Sequence, residues 1–350
     1  GCTPAAVRGD APEPPTDDDD QSAGGAQAGG GQAGVAGASG GASGSEGGSR
    51  GGMPEAPPDG GVGTADAATP DVGADASGDA LPPPPACSRT LAARPGTIRA
   101  TLSMAMPGDC VVLEPGVYSE SFETVRPGEP GKPIVIKGPK DAVVRGAASG
   151  RMVQIKHSHV VLYGFTLMGK TDCDCDCGAM PDTLLYIQSF DPGKGLTGVR
   201  VLGMTIEGAK GECVRLKYLA HANEIAWNTI RFCGREDFGR DGTICAFKGT
   251  PCEREPTATS CKDMSVSKNG EGIYIGTAPE QAYCPPEIGS CKSLKNPTKE
   301  PDVTRDNHVH HNVIDTRGNE CVDVKEDATA NLVEHNTCTG QGDPNSAGLD

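Results

Sequence analysis

One short phrase recurs along the C-terminal half of this chain at a fixed step. It reads VHHNVI at 309 to 314 and VEHNTC at 333 to 338, an offset of 24 residues (333 − 309) that puts Asn312 and Asn336 in the same place. IAWNTI at 225 to 230 repeats it with Asn228, and VLGMTI at 201 to 206 precedes that by the same step (225 − 201 = 24). A second phrase keeps the rhythm: GECVRLK at 211 to 217, GEGIYIG at 270 to 276 and NECVDVK at 319 to 325. Self-similarity at a period of roughly 20 to 30 residues means that no unit buries its own apolar face, so the units must stack. They hold short β-branched alternations and no helical periodicity, so what stacks is a coil of short strands, an all-β parallel β-helix. An Asn at one point of successive coils sits at a corner, bonds its equivalent above and below, and satisfies the backbone of the bend. Asn228, Asn312 and Asn336 are expected to form such a ladder.

Composition divides the chain unevenly. Residues 1 to 86 hold 13 acidic and 2 basic side chains, a balance of −11 out of −16, which leaves 34 acidic and 29 basic for residues 87 to 350. The acidity belongs to the tail, and nothing is basic enough to bind nucleic acid by neutralising phosphates. From Thr3 to Pro85 the sequence is Gly, Ala, Ser, Pro and Asp, with the run Asp17 to Asp20 and the string Pro82 to Pro85. So few large apolar side chains cannot offset ordering entropy, and residues 1 to 86 read as a disordered tether, the Asp run as solvated spacer rather than a calcium site.

Fifteen cysteines, without CxxC pairs at zinc-finger spacing, fit an oxidising compartment. Cys2 stands apart, and the other fourteen, Cys87 to Cys338, allow up to seven disulfides whose pairing the sequence does not give. Gly1-Cys2 followed by a polar tether resembles the lipobox end of a bacterial lipoprotein. That resemblance implies lipidation at Cys2, a membrane contact through the lipid alone, and an outer-membrane, cell-surface or secreted location. No run of about 18 apolar residues could span a bilayer.

The folded part opens near Cys87. GTIRATLSMAMPGDCVVLEPGVY at 96 to 118 gives a short helix near Thr97 to Ala105 with Ile98, Leu102 and Ala105 on one face, a Pro107-Gly108 turn, and a strand at Val111 to Leu113. Such a helix covers the open end of the first coil. This capping helix, followed by PGD, an apolar strand, PGVY and KPIVIKG at 132 to 138, resembles the start of right-handed parallel β-helix proteins of the pectin-lyase-like superfamily. The resemblance spans Pro95 to Asp350 and implies a right-handed solenoid from 87 to 350. Three insertions interrupt the coils, at 171 to 182, 233 to 241 and 277 to 304. The sequence stops partway through a coil with no visible cap, so the natural protein is expected to continue.

In the second phrase the apolar residues point inward and the alternate ones outward. Arg215, Tyr274 and Asp323 then share one outward column, Lys217 and Lys325 another, and Glu212, Glu271 and Glu320 a third just before the strand. Such a face suits an extended, acidic polysaccharide. Removing the proton beside a uronate carboxylate takes a base plus a cation that neutralises the carboxylate. Lys325, Lys217 and Arg215 are the catalytic candidates, a Lys base needing nearby positive charge to lower its pKa. Tyr274, Glu212 and Glu271 are substrate-binding candidates. Glu320 and Asp323, with Glu326 and Asp327 nearby, are hard-oxygen ligands for calcium. The chain lacks the paired-Asp NTD-type motif, the GHG and the RIK of polygalacturonase-like hydrolases, and the vWiDH and RxPxxR of common pectate lyases.

Two other patterns suggest metals. His308, His310, His311 and His335 cluster, and His157-x-His159 puts two imidazoles on one strand face; but His311 and His335 share a repeat position, which reads as a structural column. Cys173, Cys175 and Cys177 alternate with aspartates and read as disulfides rather than a soft-metal site. Two functions stay open: a calcium-assisted lyase of uronate-containing polysaccharide, or a non-catalytic surface protein that binds glycans or protein partners through the same face. Either is expected to act as a monomer.

Overall fold

The computed structural model describes residues 80–350 apart from 147, 176, 255–269, 286–293, 343–347 and 350. Cys2 and the tether up to residue 79 lie outside the described residues, as do Cys261 and Cys291. The described chain is a parallel β-helix. It visits three parallel sheets in turn, of eight, seven and six strands. One coil illustrates the path: Val160–Tyr163 in the first sheet, Thr166–Met168 in the second, Thr183–Ile187 in the third, then Arg200–Leu202 back in the first.

Register follows the 24-residue step. Val201 pairs with Ile225, and Val309 with Val333. Strands of two to five residues suffice because inward side chains land on their equivalents in the next coil. Val111, Ile136, Leu162, Val201, Ile225 and Val309 form one such fully buried column. Each full burial of this kind is worth about 1.5–3 kcal/mol.

Two corners carry asparagine ladders. Asn228 donates its Nδ2 to Asn312 Oδ1 at 2.9 Å, and Asn312 donates in the same way to Asn336 at 2.9 Å. The residue before each Asn is left-handed, with φ of +55° at Trp227, +53° at His311 and +52° at His335. This conformation costs a non-glycine residue about 1–2 kcal/mol, and the buried amide bonds offset it. The other corner repeats the device with Asn223, Asn307 and Asn331, each preceded by a left-handed residue, Ala222, Asp306 or Ala330. The sequence reading passed over this second ladder, although Asn307 and Asn331 are also 24 apart.

The helix forms at Ile98–Met104, with Ile98, Thr101 and Leu102 buried. A strand precedes it, however: Arg89–Ala93 pairs in parallel with Asp109–Leu113, so the helix is inserted between the first two strands of the first sheet. Order also begins before Cys87, since Tyr163 donates its hydroxyl to the Pro82 carbonyl at 3.1 Å. Cys87–Cys110 and Cys213–Cys233 are bonded; Cys173–Cys177 bonds the first insertion internally, and Cys175–Cys245 ties it to the turn Cys245–Phe247, just beyond the 233–241 insertion. The alternating cysteines are therefore disulfides, not metal ligands.

Candidate active site

The strands Thr183–Ile187, Val214–Leu216, Ile273–Ile275 and Val322–Val324 lie side by side in the third sheet. Their register stacks Tyr186, Arg215, Tyr274 and Asp323 in one outward column. The ladder continues one residue past the last inward position, so Gln188, Lys217, Gly276 and Lys325 form the neighbouring column. Ahead of the strands, Cys213 N–H donates to the Glu271 carbonyl and Gly272 N–H to that of Glu320, aligning Glu212, Glu271 and Glu320. All the residues singled out on this face come together.

The face is not an open groove. Lys217 is 1% exposed, and Glu212, Arg215, Glu271, Tyr274, Glu320 and Asp323 are also buried. Part of the cover is the excursion at 277–304, whose short helix Pro279–Ala282 brings Gln281 Oε1 to 3.3 Å from Arg215 Nη2. Asn319 adds an amide donor to Glu271 Oε1 at 3.3 Å. Lys325 is the more accessible member, its side chain 24% exposed.

The charges pair within the cluster. Arg215 Nη1 donates to Glu212 Oε1 at 3.0 Å and its guanidinium lies 4.5 Å from the Tyr274 ring centre. Lys325 approaches the same ring at 4.8 Å and Asp323 Oδ2 at 2.5 Å. Tyr274 thus sits between two cations, buried, rather than facing solvent as a sugar platform. Arg215 is likewise committed to Glu212 rather than displayed to solvent. Lys217 Nζ lies 5.6 Å from the Tyr186 ring.

One carboxyl oxygen from each of Glu271, Glu320 and Asp323 lies within 4.8 Å of the others. Among the described residues no other group of three or more His, Cys, Asp and Glu converges in this way. Glu271, assigned to substrate on sequence grounds, is therefore the third member, while Glu326 and Asp327 stay out of it. The shared repeat position of Glu271 and Glu320 was the available signal. Burial, and then the negative charge of Glu212, push the Glu271 carboxyl up to about 8. Burial pulls the Lys325 ammonium down, but the charge and hydrogen bond of Asp323, with Glu271 and Glu326, outweigh it, and the net shift is upward. The positive neighbours that would lower a lysine base are replaced here by carboxylates. Burial, before any charge, raises the Tyr274 phenol well above its ordinary value.

The histidines lie elsewhere, along the first sheet and its corner. His311 stacks between Trp227 at 5.3 Å and His335 at 5.2 Å. His157 pairs with Thr124 Oγ1 at 2.8 Å.

No family profile matches the sequence, and no curated protein matches it. Among solved structures it is similar to an alginate lyase from Paenibacillus sp. str. FPU-7, at 17% identity over 71% of this chain and 66% of that one, with a TM-score of 0.49. It is also similar to the PL6 family alginate lyase AlyGC, at 13% identity over 67% of this chain and 34% of that one, TM-score 0.35. Pectate lyase Pel9A matches at 11% identity over 75% and 81% of the two chains, TM-score 0.24. The chain spans just under two thirds of the first and about a third of the second. The parallel β-helix architecture rests on the strand register itself.

Proposed function

We propose that this protein acts on an acidic polysaccharide as a calcium-assisted lyase, with its centre at Glu271, Glu320, Asp323 and Lys325. The observation that carries the reading is the convergence of three carboxylates within 4.8 Å beside an ammonium group at the edge of the buried cluster. Three hard-oxygen donors at this spacing fit the oxygen coordination that calcium prefers. Their chemistry also suits a cation, which would offset both the burial and then the Glu212 charge that raise Glu271. Calcium bound there supplies the positive charge that makes the carbanion-like state beside a uronate carboxylate tolerable.

The rest falls to the chain's own side chains. Elimination breaks the C–H bond beside the carboxylate and the C–O bond to the departing sugar, and forms a C=C bond. Lys325 is assigned the proton removal: it is the cluster's solvent-accessible amine, it takes the proton only after its ammonium has first given one up to solvent, and the departing sugar oxygen is protonated from solvent. Its ion pair with Asp323 must open first, so turnover is expected to rise with pH. Arg215 and Lys217 fix the charge balance of the cluster, and Tyr274 holds Arg215 and Lys325 apart.

A second reading, a non-catalytic glycan-binding surface, has its own support. Phe190 is exposed near Lys156 at 5.1 Å and Arg151 at 5.8 Å, and Arg151 also lies over Tyr186 at 3.6 Å, a cationic and aromatic patch that could hold an anionic sugar. One experiment separates the two: incubation with a panel of uronate-containing polysaccharides, with and without calcium, following the absorbance of unsaturated products. Product formation supports the lyase. Retention on a polysaccharide column without product supports the binder.

The disulfides fit an extracytoplasmic location, and no helix among the described residues is long and apolar enough to cross a membrane. In this reading a lipid on Cys2 anchors a monomer to the bacterial outer membrane or cell surface, and nucleic acid is not a partner. Mass spectrometry of the mature N-terminus tests the anchor; an unmodified Cys2 ends the idea.

A further inference from the structure

Two thiols beside the candidate site remain unbonded. Cys321 is fully buried, between Glu320 and Val322, and Cys338 is half-buried in the strand Thr337–Thr339 of the second sheet. Both converge on Ile314. Cys338 is its register partner in the next coil, and Cys321 Sγ lies 3.9 Å from its carbonyl oxygen. The two thiols hydrogen-bond to each other.

The same column already holds one staple. Cys213, Gly272 and Cys321 occupy successive rungs, one residue before the paired Val214, Ile273 and Val322. Cys213 is bonded to Cys233, which follows the second-sheet strand Thr229–Arg231. At the middle rung a Cβ on Gly272 would lie 2.6 Å from Ile314 Cγ2 and 2.7 Å from the Cys321 carbonyl oxygen, so that rung has room for no side chain. The column therefore reads bonded Cys, bare Gly, unbonded Cys, with Cys338 as the second thiol at the last position.

We infer that Cys321 and Cys338 are a disulfide-forming pair, and that their oxidation fastens the strand carrying Asp323 to the second sheet of the following coil. The ring it closes is short, 17 residues along the chain (338 − 321). The chemistry is thiol–disulfide exchange with a small disulfide as oxidant. The Cys338 thiolate attacks first, because it is the more exposed, and expels one thiolate to leave a mixed disulfide. Cys321 then displaces the second thiolate. Two S–H bonds in the protein give way to one S–S bond, and the two electrons and two protons leave with the oxidant, now two thiols.

The test uses the full chain, reduced mildly and then incubated with oxidised glutathione, trapped with N-ethylmaleimide and digested without reduction. The expected product is a Cys321 peptide linked to a Cys338 peptide, with amide hydrogen exchange across Val322–Val324 several-fold slower than in the reduced protein. Cys338→Ser, at the half-buried end where packing is least disturbed, should leave Cys321 open to the maleimide once the protein is unfolded, and should abolish the slowing. Maleimide on both cysteines after oxidation, or either one linked elsewhere, overturns the pairing. A linked pair with unchanged exchange at Val322–Val324 overturns the fastening of the site strand.

Discussion

Lys325 Nζ lies 2.5 Å from Asp323 Oδ2, two residues away on the same outward edge, and this ion pair marks where the buried charge cluster meets solvent. Lys325→Ala takes this partner from the buried Asp323 carboxylate and is expected to lower the melting temperature, so turnover is compared at a temperature where both proteins are folded. On a confirmed polysaccharide substrate it should lower turnover roughly 10²- to 10⁴-fold, the usual worth of a general base. Unchanged turnover would remove Lys325 from the mechanism.

Glu271 makes cation-free stability depend on pH. Its folded carboxyl is raised to about 8 from an ordinary value of 4.5, so the folded state binds the extra proton between these limits. Stability from this group is present below about 4.5 and declines as pH rises towards 8, by up to about 1.4 kcal/mol per pH unit. In EDTA, the melting temperature is expected to fall between pH 5.5 and 8, and Glu271→Gln to flatten that fall. Calcium should raise the melting temperature more at pH 8 than at pH 5.5, because at low pH it must displace the proton. Calcium at about 100 times its Kd stabilises by roughly 2.7 kcal/mol; no shift at any pH would argue against a cation site.

The period and the alternation within each phrase are enough to put Arg215, Tyr274 and Asp323 in one column, because parallel stacking fixes which residues become neighbours. The same local pattern is silent about what covers the column. Gln281 reaches Arg215 across 66 residues, and no spacing rule encodes that contact. With the cover missing from view, Lys217 and Tyr274 read as exposed and Lys325 as a lysine needing positive neighbours. Glu271 was legible as a repeat of Glu320, but its place beside Asp323 depends on how side chains turn after the backbone is set. The Asn223 ladder escaped for a simpler reason: its flanking residues, Ala222, Asp306 and Ala330, share a backbone conformation and not a letter.

Trp227, the chain's only tryptophan, reports on the histidine cluster. His310 meets its ring edge-on at 4.8 Å and places Nε2 3.3 Å from Glu224 Oε1. Burial first, then the neighbouring His308, lower the His310 pKa from 6.5, against the opposing pull of Glu224; His311 also lowers it. A depressed folded pKa means that the unfolded state takes the proton first as pH falls. The contribution is present above about 6.5 and is lost as pH drops through the lower folded value. The melting temperature of the parent minus that of His310→Gln is expected to fall between pH 7.5 and 5.5, a difference in which the opposite trend of Glu271 cancels, with a tryptophan fluorescence transition centred below 6.5. A transition centred above 6.5 would contradict the sign of the shift.

Asn312 is a buried rung of the corner ladder with a partner on either side. Its Oδ1 accepts from Asn228 N–H at 3.0 Å and from Asn228 Nδ2 at 2.9 Å, while its Nδ2 donates to Asn336 Oδ1 at 2.9 Å and to the Ile225 carbonyl at 2.8 Å. Asn312→Ala strands donors and acceptors on both neighbouring coils where water does not reach, and each buried orphan costs about 1–3 kcal/mol. It also leaves His311 in its left-handed conformation without the bonds that offset the cost. The expected loss is roughly 3 kcal/mol or more, read from urea unfolding. Asn336→Ala removes the same type of side chain from a half-exposed rung, where water can replace the lost partners, and should cost about 1 kcal/mol. Equal losses at the two positions would mean that stacking between coils, rather than burial of the ladder, sets the stability of this corner.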